Sequence, residues 1–272
     1  MGERSTAVRF TVLTFCIAYL VSGVLIIMSR FGYRFYNWVT SPQQFVMNIP
    51  FAIYILSPAI ASYVVTRKDE KTTHFREWLK TIFYYKNNGF PYVFVTVGLL
   101  LYFSIHVIVS GCAEMVLPFY TLLFSLPGNL FIGGLEEAGW SYVLQPKLDQ
   151  KFGYVFSCII TGGIWILWHI PLFFIPGTNH EEGLIDFRMF AVQCLALRFF
   201  LGGICKISGK SSTFMCVLFH TIFNAASFTF AALTVTWKGA MVADGVIVLV
   251  SSVTVVFYNR RTGSVSSKMK KV

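Results

Sequence analysis

Charged residues are scarce in this chain: they make up 12% of its 272 residues, whereas 56% are hydrophobic. A soluble domain of this size carries about a quarter charged residues, so the composition excludes an ordinary soluble protein. Acidic residues are fewer than basic residues, with 12 Asp and Glu against 22 Lys and Arg. The basic modules that recognise nucleic acid are missing, so we expect no nucleic-acid partner and attribute the cations to membrane orientation.

Several catalytic and metal-binding motifs are also missing. The six cysteines form no C-x-x-C pair, which argues against a disulfide framework or a zinc ribbon. G-x-S-x-G does not occur, and no aspartate accompanies the histidines of the apolar segments, so rhomboid-like serine chemistry is not expected. The H-E-x-x-H spacing that is typical of zinc peptidases is absent too.

Long apolar runs, by contrast, are abundant. A helix needs about 20 mostly apolar residues to cross the hydrocarbon core. Eight segments meet this requirement: 10–29, 48–66, 91–113, 117–145, 154–175, 186–205, 213–232 and 240–258. We therefore predict an all-α polytopic membrane protein with about eight transmembrane helices, forming a single integral-membrane domain over 1–272. The fourth segment is too long for one straight crossing, and Pro127-Gly128 predicts a kink or a re-entrant start.

The distribution of cations predicts how the helices are oriented, because cytoplasmic loops carry an excess of Lys and Arg. With the N-terminus in the cytoplasm and eight alternating spans, 17 of the 22 cations lie on the cytoplasmic side and 4 outside. The first run has no small-residue cleavage site after it, so we expect a retained helix and not a signal peptide. The segment 259–272 is then a basic cytoplasmic tail, expected to be disordered from Thr262 onward.

Two features outside the predicted spans carry weaker signals. Apolar residues recur at helical spacing at Phe75, Trp78, Leu79, Ile82 and Phe83. They predict an amphipathic helix on the cytoplasmic leaflet, with an anchoring role favoured over substrate capture. His180, Glu181 and Glu182 form a metal-like cluster, but they fall in a predicted outer loop, where we expect them to be solvated.

Polar residues inside the apolar runs concentrate on three segments. Glu136 and Glu137 lie late in the fourth segment, where ionisable side chains are costly and are rarely left without a role. His169 lies on the fifth segment, and His220 and Asn224 lie one helical turn apart on the seventh. Either histidine alone is typical of a packed core residue, but the two histidines and the carboxylates together favour a shared polar site.

Such a site has the groups that water-mediated amide hydrolysis requires. A carboxylate in a low-dielectric environment can accept a proton from water near neutral pH, and a neutral histidine can hold the same water. A second histidine with an amide donor can stabilise an oxyanion. Glu136, His169 and His220 would equally suit a catalytic zinc ion, so both mechanisms stay open at this point.

The motifs that carry these residues resemble those of a known family. E-E-A-G-W is followed about thirty residues later by W-x-x-x-H and then by H-x-x-x-N. This order resembles the CPBP intramembrane proteases, which comprise type II CAAX prenyl endopeptidases and their bacteriocin-processing and abortive-infection relatives. The family pattern is E-E-x-x-x-R, F-x-x-x-H and H-x-x-x-N/D on an eight-helix membrane fold, and the resemblance covers roughly 120–232.

The resemblance implies roles for individual residues. Glu136 would be the general base that activates water, with His169 as its partner, and His220 and Asn224 would form the oxyanion hole. The supporting positions are Glu137, Trp140, Ser141 and Trp165. No cofactor is required in this interpretation, with zinc as the alternative. The resemblance further implies a peptide or prenylated-protein substrate, reached from the cytoplasmic side of a prokaryotic cell membrane and cut after the lipidated cysteine.

Two positions depart from the family pattern. Trp165 stands where the family often has phenylalanine, which is a tolerable aromatic exchange. Ser141 stands where the family has arginine, four residues after Glu137, at the spacing that best suits a Glu–Arg pair. Glu137 must then be protonated or find another partner, for which the candidates are Lys147, Arg198, Ser141 and Trp140.

The sequence thus favours an intramembrane endopeptidase whose partners are membrane lipid and a peptide or prenylated-protein substrate. The alternative is a catalytically degenerate family member that acts as an immunity or scaffold membrane protein. A third hypothesis is a small transporter that uses intramembrane Glu and His as a proton relay, but we see no inverted repeat to support it.

Overall fold

The computed structural model describes residues 4–69, 74–110, 118–229 and 236–269. Within these ranges every regular element is a helix, which confirms the all-α prediction. The α-helices are α1 (Arg4–Ser29), α2 (Pro42–Ile55), α3 (Ser57–Lys68), α4 (Phe75–Ile82), α5 (Gly89–Ser110), α6 (Tyr120–Phe131), α7 (Glu137–Gly139), α8 (Gln145–His169), α9 (Phe187–Ile207), α10 (Ser212–Thr229) and α11 (Trp237–Met269). Short 3-10 turns lie at Gly134–Glu136, Ile170–Phe174 and Gly209–Ser211, and a π turn lies at Trp140–Leu144.

The apolar helices make the chain a multi-pass membrane protein. Five described segments are long and apolar enough to cross a membrane: Thr6–Ser29, Gly89–Ser110, Tyr120–Phe174, Phe187–Ile207 and Trp237–Arg260. The bent pair α2–α3 gives a sixth if it counts as one span. Tyr120–Phe174 has 55 residues and covers two of the predicted spans. The number eight stays a prediction, and parts of 91–113, 117–145 and 213–232 lie outside the described residues.

Two of the predicted spans are interrupted in the structure. The segment 48–66 is divided between α2 and α3, which meet at Leu56 with a bend of 51°. Pro58 lies in the first turn of α3. Because proline has no backbone N–H and its ring clashes with the carbonyl four residues earlier, α2 cannot continue through it as one straight helix. In the fourth segment Pro127 lies within α6, and the break comes at Ile132 and Gly133, where Gly133 has a φ of 130°. The kink or re-entrant start predicted at Pro127-Gly128 stays a prediction, since the helix ends several residues after it.

The amphipathic helix is confirmed as α4, but its apolar face packs on the protein. Trp78 and Ile82 are buried and lie in one cluster with Ala59 of α3 and Val217 of α10. The Trp78 indole donates a hydrogen bond to Ser62 Oγ at 3.3 Å. A helix of eight residues is too short to be stable alone, so this packing fixes it beneath α3 and α10.

A stack of aromatic side chains holds the middle of the fold. Trp140 packs edge-on against Phe10 of α1 at 5.5 Å and against Trp168 of α8 at 5.9 Å between ring centroids. Trp168 stacks on Tyr54 of α2 at 5.1 Å, and its indole donates to Ser57 Oγ at 3.0 Å. Because Trp168 precedes His169 and Trp140 follows Glu137 by three residues, this stack fixes the two polar segments relative to each other.

The C-terminal end differs from the expectation of a disordered tail. Helix α11 runs without a break from Trp237 to Met269, through the polar residues that follow the apolar run. The last three residues of the basic tail lie outside the described residues. The five cysteines that the structure describes are free thiols.

Candidate active site

The two glutamates lie in an irregular segment between α6 and α8. After the break at Gly133 the chain passes through a 3-10 turn, the short α7 and the π turn before α8 begins. Such π turns inside helices occur frequently at functional sites. Successive helical residues are rotated by about 100° around the axis, so Glu136 and Glu137 point in different directions and meet different partners.

Glu136 is buried and is held by two tryptophans. Its Oε2 accepts a hydrogen bond from Trp165 Nε1 at 2.9 Å and a longer one from Trp140 Nε1 at 3.4 Å. Only 3% of the residue is exposed. Both indole N–H groups bind the same oxygen, which leaves Oε1 as the one oxygen of this carboxylate with hydrogen-bonding capacity for a further ligand.

Glu137 is fully buried and lies at the centre of a charged cluster. Its Oε2 accepts hydrogen bonds from Arg198 Nη2 at 3.1 Å and from Ser141 Oγ. Its Oε1 accepts from Arg198 Nη1 at 3.4 Å and contacts His220 Nδ1 at 3.1 Å. A buried ion pair of this kind needs further hydrogen bonds to offset its desolvation. Serine and histidine supply them to the Glu137 carboxylate, whereas Arg198 Nε has no hydrogen-bond partner among the described residues.

His169 lies at the end of α8 in an aromatic cage. Its Nδ1 is 2.7 Å from the carbonyl oxygen of Trp165, one helical turn earlier. A carbonyl only accepts, so Nδ1 carries the proton in the neutral ring and Nε2 has the free lone pair. The imidazole contacts Trp165, Trp168 and Phe190 at centroid distances of 5.1, 4.7 and 4.9 Å.

His220 and Asn224 lie on one face of α10, opposite the break after α6. Asn224 Nδ2 donates to the carbonyl of Ile132 at 3.3 Å. A Cβ added at Gly133 would lie 2.2 Å from Asn224 Nδ2 and 3.3 Å from His220 Nε2. The polar ends of both side chains therefore converge on the backbone of Gly133, and only glycine leaves room for them.

The structure brings the predicted residues of all three segments into one site. Trp165 links them, because its indole binds Glu136, its carbonyl accepts from His169, and its ring lies 5.5 Å edge-on from His220. Among the described side chains, no hydrogen bond joins Glu136 directly to His169. The predicted supporting residues Glu137, Trp140 and Ser141 are all buried within this site.

The described residues do not present a ready metal centre. No group of three or more His, Cys, Asp or Glu side chains is arranged to hold a metal ion within the ranges that the structure describes. Both His220 Nδ1 and His169 Nδ1 are engaged in hydrogen bonds, so a metal could reach these rings only through Nε2. The outer cluster at His180 also differs from expectation, since His180 is packed between Phe173 and Phe190 at 4.9 and 5.0 Å and is not simply solvated.

Two residues of the site have a larger part in it than the sequence indicated. Arg198 was one of four candidate partners of Glu137, and the structure pairs it with Glu137 at full burial. Gly133 was not singled out, although the dipeptide Gly133-Gly134 directly before the glutamates is a turn signal inside an apolar run. That signal would have located the break in the fourth segment correctly.

Two comparisons with known proteins point to the same family. Residues 118–226 match the sequence model of the family described as type II CAAX prenyl endopeptidase Rce1-like. CAAX prenyl protease 2 of Methanococcus maripaludis is 21% identical over 269 residues, covering 90% of this chain and 96% of the relative. The matched segment contains Glu136, His169, His220 and Asn224. Both findings confirm the family resemblance that the three motifs indicated.

Proposed function

We propose that this relative of the CPBP intramembrane proteases is a peptidase that hydrolyses a peptide bond with water activated by Glu136. The observation that supports the proposal is the geometry of Glu136. Its carboxylate is buried, it is oriented by two indole N–H groups on one oxygen, and its other oxygen can accept a proton from water. Position and orientation of this kind are what a general base requires.

The proposed reaction is a direct attack by water. Glu136 takes one proton, and the resulting hydroxide oxygen bonds to the carbonyl carbon of the substrate, which becomes a tetrahedral oxyanion. His169 holds the attacking water through its Nε2, because its Nδ1 is bound to the Trp165 carbonyl. Glu136 then returns the proton to the departing amine nitrogen as the carbon–nitrogen bond breaks, so that no covalent enzyme intermediate forms.

The oxyanion would be stabilised by His220 and Asn224, whose polar ends converge beside Gly133. An amide NH2 group has two donors, and Asn224 uses one for Ile132, so one remains for the substrate. Glu137 accepts from His220 Nδ1, which turns Nε2 toward the Gly133 side. In this proposal Nε2 carries a proton as well, because only a donor stabilises an oxyanion.

The pairing of Glu137 with Arg198 favours the catalytic hypothesis over a degenerate scaffold or immunity protein. The reason for expecting a degenerate member was the loss of a partner for Glu137 at position 141. Arg198 supplies that partner from another helix, at 3.1 Å. The proposed mechanism requires no metal, and zinc at Glu136, His169 and His220 remains the alternative that a chelator tests.

The substrate class follows from the relatives. We propose a peptide or prenylated protein ending in a CAAX sequence, with the site reached from the cytoplasmic face of a prokaryotic cell membrane. Both termini lie in the cytoplasm in this arrangement, as the cation distribution predicts.

The proposal is tested with purified protein and a fluorogenic CAAX peptide, prenylated or unprenylated, before and after extensive chelation. We expect cleavage of the prenylated peptide, its loss in His169→Ala, and full retention in the control His74→Ala at the exposed start of α4. Cleavage that is lost on chelation and restored by zinc would overturn the metal-free mechanism. Undiminished cleavage by His169→Ala would remove the proposed role of that histidine.

A further inference from the structure

Arg198 is a cation enclosed within an apolar helix. Its side chain is completely buried in α9, in a segment long and apolar enough to span a membrane. A guanidinium in this environment is costly unless anions and hydrogen-bond acceptors meet it. Its Nη1 and Nη2 bind the Glu137 carboxylate at 3.4 and 3.1 Å, and its Cζ lies 5.4 Å from the centre of the Trp165 ring.

Ser141 also binds this guanidinium. Its hydroxyl accepts a hydrogen bond from Arg198 Nη2 at 3.0 Å and donates one to Glu137 Oε2. Ser141 is itself fully buried, and it lies one helical turn after Glu137. A longer side chain at this position would occupy the volume that the Arg198 guanidinium fills.

We infer that Arg198 is a positioning residue of the site, and that positions 141 and 198 act as one exchangeable pair that together supply a single cation to Glu137. Arginine at 198 requires a small polar residue at 141, and arginine at 141 would require a small residue at 198. Arg198 acts through Glu137, which holds Nδ1 of His220 and thereby fixes the direction of Nε2. The consequence for catalysis rests on the proposed function, whereas the exchange itself is a structural property.

The inference predicts opposite outcomes for single and paired substitutions. Ser141→Arg would place a second guanidinium beside the Glu137 carboxylate. Because Ser141 Oγ lies only 3.0 Å from Arg198 Nη2, the two guanidinium groups would crowd and repel each other. Arg198→Ser would leave Glu137 buried without its cation. The double variant Ser141→Arg/Arg198→Ser again supplies one cation, one hydroxyl and one carboxylate.

The experiment compares these three variants with the wild type and with Arg188→Ser, which removes an exposed arginine of the same helix. We expect each single variant to lower the melting temperature by roughly 10 °C and the double variant to recover most of the loss. Peptidase turnover should fall about tenfold or more in each single variant and recover in the double variant. Arg198→Lys should retain only part of the wild-type stability and turnover, because lysine cannot make the bidentate contact that arginine makes with the carboxylate.

Nitrogen NMR of the histidines separates positioning from mere stability. The chain has five histidines, so His220→Gln identifies the signal of His220. We expect a proton on His220 Nδ1 in the wild type and the double variant, and its exchange or loss in Arg198→Ser. Ser141→Arg as stable as the wild type, or a double variant no better than either single one, would overturn the inference. If the wild-type protein has no peptidase activity, only the proposed function is contradicted. The melting temperatures and the NMR spectra still test whether positions 141 and 198 form an exchangeable pair.

Discussion

Adjacent residues in this site meet different partners. Glu136 receives neutral indole donors, and Glu137 receives a guanidinium, a hydroxyl and an imidazole. The first carboxylate can therefore change its protonation during a reaction, whereas the second is held as a fixed anion. In the proposed mechanism, this difference lets Glu136 act as the base while Glu137 supports the oxyanion hole.

Gly133 provides a test of how closely the backbone approaches His220 and Asn224. In Gly133→Ala the new methyl would lie 2.2 Å from Asn224 Nδ2, at a φ of 130° that alanine rarely adopts. We expect a loss of stability of about 2–4 kcal/mol and loss of peptidase activity. The measurement is thermal unfolding together with peptide cleavage.

Gly128→Ala is the matched control for this substitution. Gly128 lies within α6, and nothing would contact an added Cβ there within 4 Å. Alanine is also favoured over glycine inside a helix, so this variant should be at least as stable as the wild type. Equal behaviour of the two alanine variants would contradict the close approach at Gly133.

The sequence predicted the members of the site better than the contacts among them. Glu136, His169, His220 and Asn224 could be found because polar residues are conspicuous in apolar runs. The partner of Glu137 could not be chosen, because contacts one turn apart follow from helical spacing, whereas Arg198 is 61 positions away along the chain. A pairing between helices depends on their packing, which spacing alone does not specify.

At the scale of elements, interruptions of helices position the site. The break at Gly133, the π turn at Trp140–Leu144 and the 3-10 turn after His169 all border the polar residues. Backbone of this kind is tolerated within a membrane where protein buries it. Pro127 lies within α6, and the helix ends only before Gly133, whose left-handed backbone no other residue readily adopts.

The loop before α9 reaches His169 through Phe190 of α9. His180 contacts Phe190, and Phe190 contacts His169. The loop is tied to the segment after α1, since Phe35 N donates to the Pro176 carbonyl at 2.8 Å and Arg34 pairs with Glu182 at 3.0 Å. The loop and the segment after α1 are therefore held together on the Phe190 side of His169.

This loop should loosen in acid. Burial lowers the pKa of His180 from its ordinary value of 6.5 to about 4, so the unfolded loop takes up a proton at a higher pH than the folded loop. Its stability is thus complete above about pH 6.5 and decreases as the pH falls toward 4. Hydrogen exchange of residues 175–186 between pH 7 and pH 4 measures the effect.

His180→Phe is the control, because phenylalanine keeps an aromatic ring between Phe173 and Phe190 but cannot be protonated. The neighbouring acids Glu181, Glu182 and Asp186 and the cation Arg34 are present in both proteins, so their contributions cancel in the comparison. We expect a smaller acid-induced increase of exchange in His180→Phe. An identical increase in both proteins would assign the pH dependence to these other groups.

At the scale of the whole molecule, composition alone determined the class. A chain with 12% charged residues and several long apolar helices has the properties of a multi-pass membrane protein. The number of crossings is harder to predict, because the interrupted segment Tyr120–Phe174 and the bent pair α2–α3 do not correspond to single straight spans. Hydropathy identifies apolar segments, but it does not predict where the helices within them bend or break.

The orientation of the molecule can be tested by labelling from one side. Tyr85 and Leu184 are exposed at 61% and 73%, in the loops that the cation distribution places inside and outside. In intact cells a membrane-impermeant maleimide should label Leu184→Cys but not Tyr85→Cys, and after lysis it should label both. Labelling of Tyr85→Cys in intact cells would reverse the orientation.

The most direct test of the central claim is mass spectrometry of the products that form from a farnesylated peptide ending in a CAAX sequence. Purified wild-type protein should release the intact C-terminal tripeptide and leave the prenylated cysteine with a free carboxylate. Glu136→Gln should melt at a similar temperature but release no tripeptide, and Glu77→Gln, at an exposed glutamate of α4, should behave as the wild type. Release of the tripeptide by Glu136→Gln at the wild-type rate would contradict the assignment of Glu136 as the base.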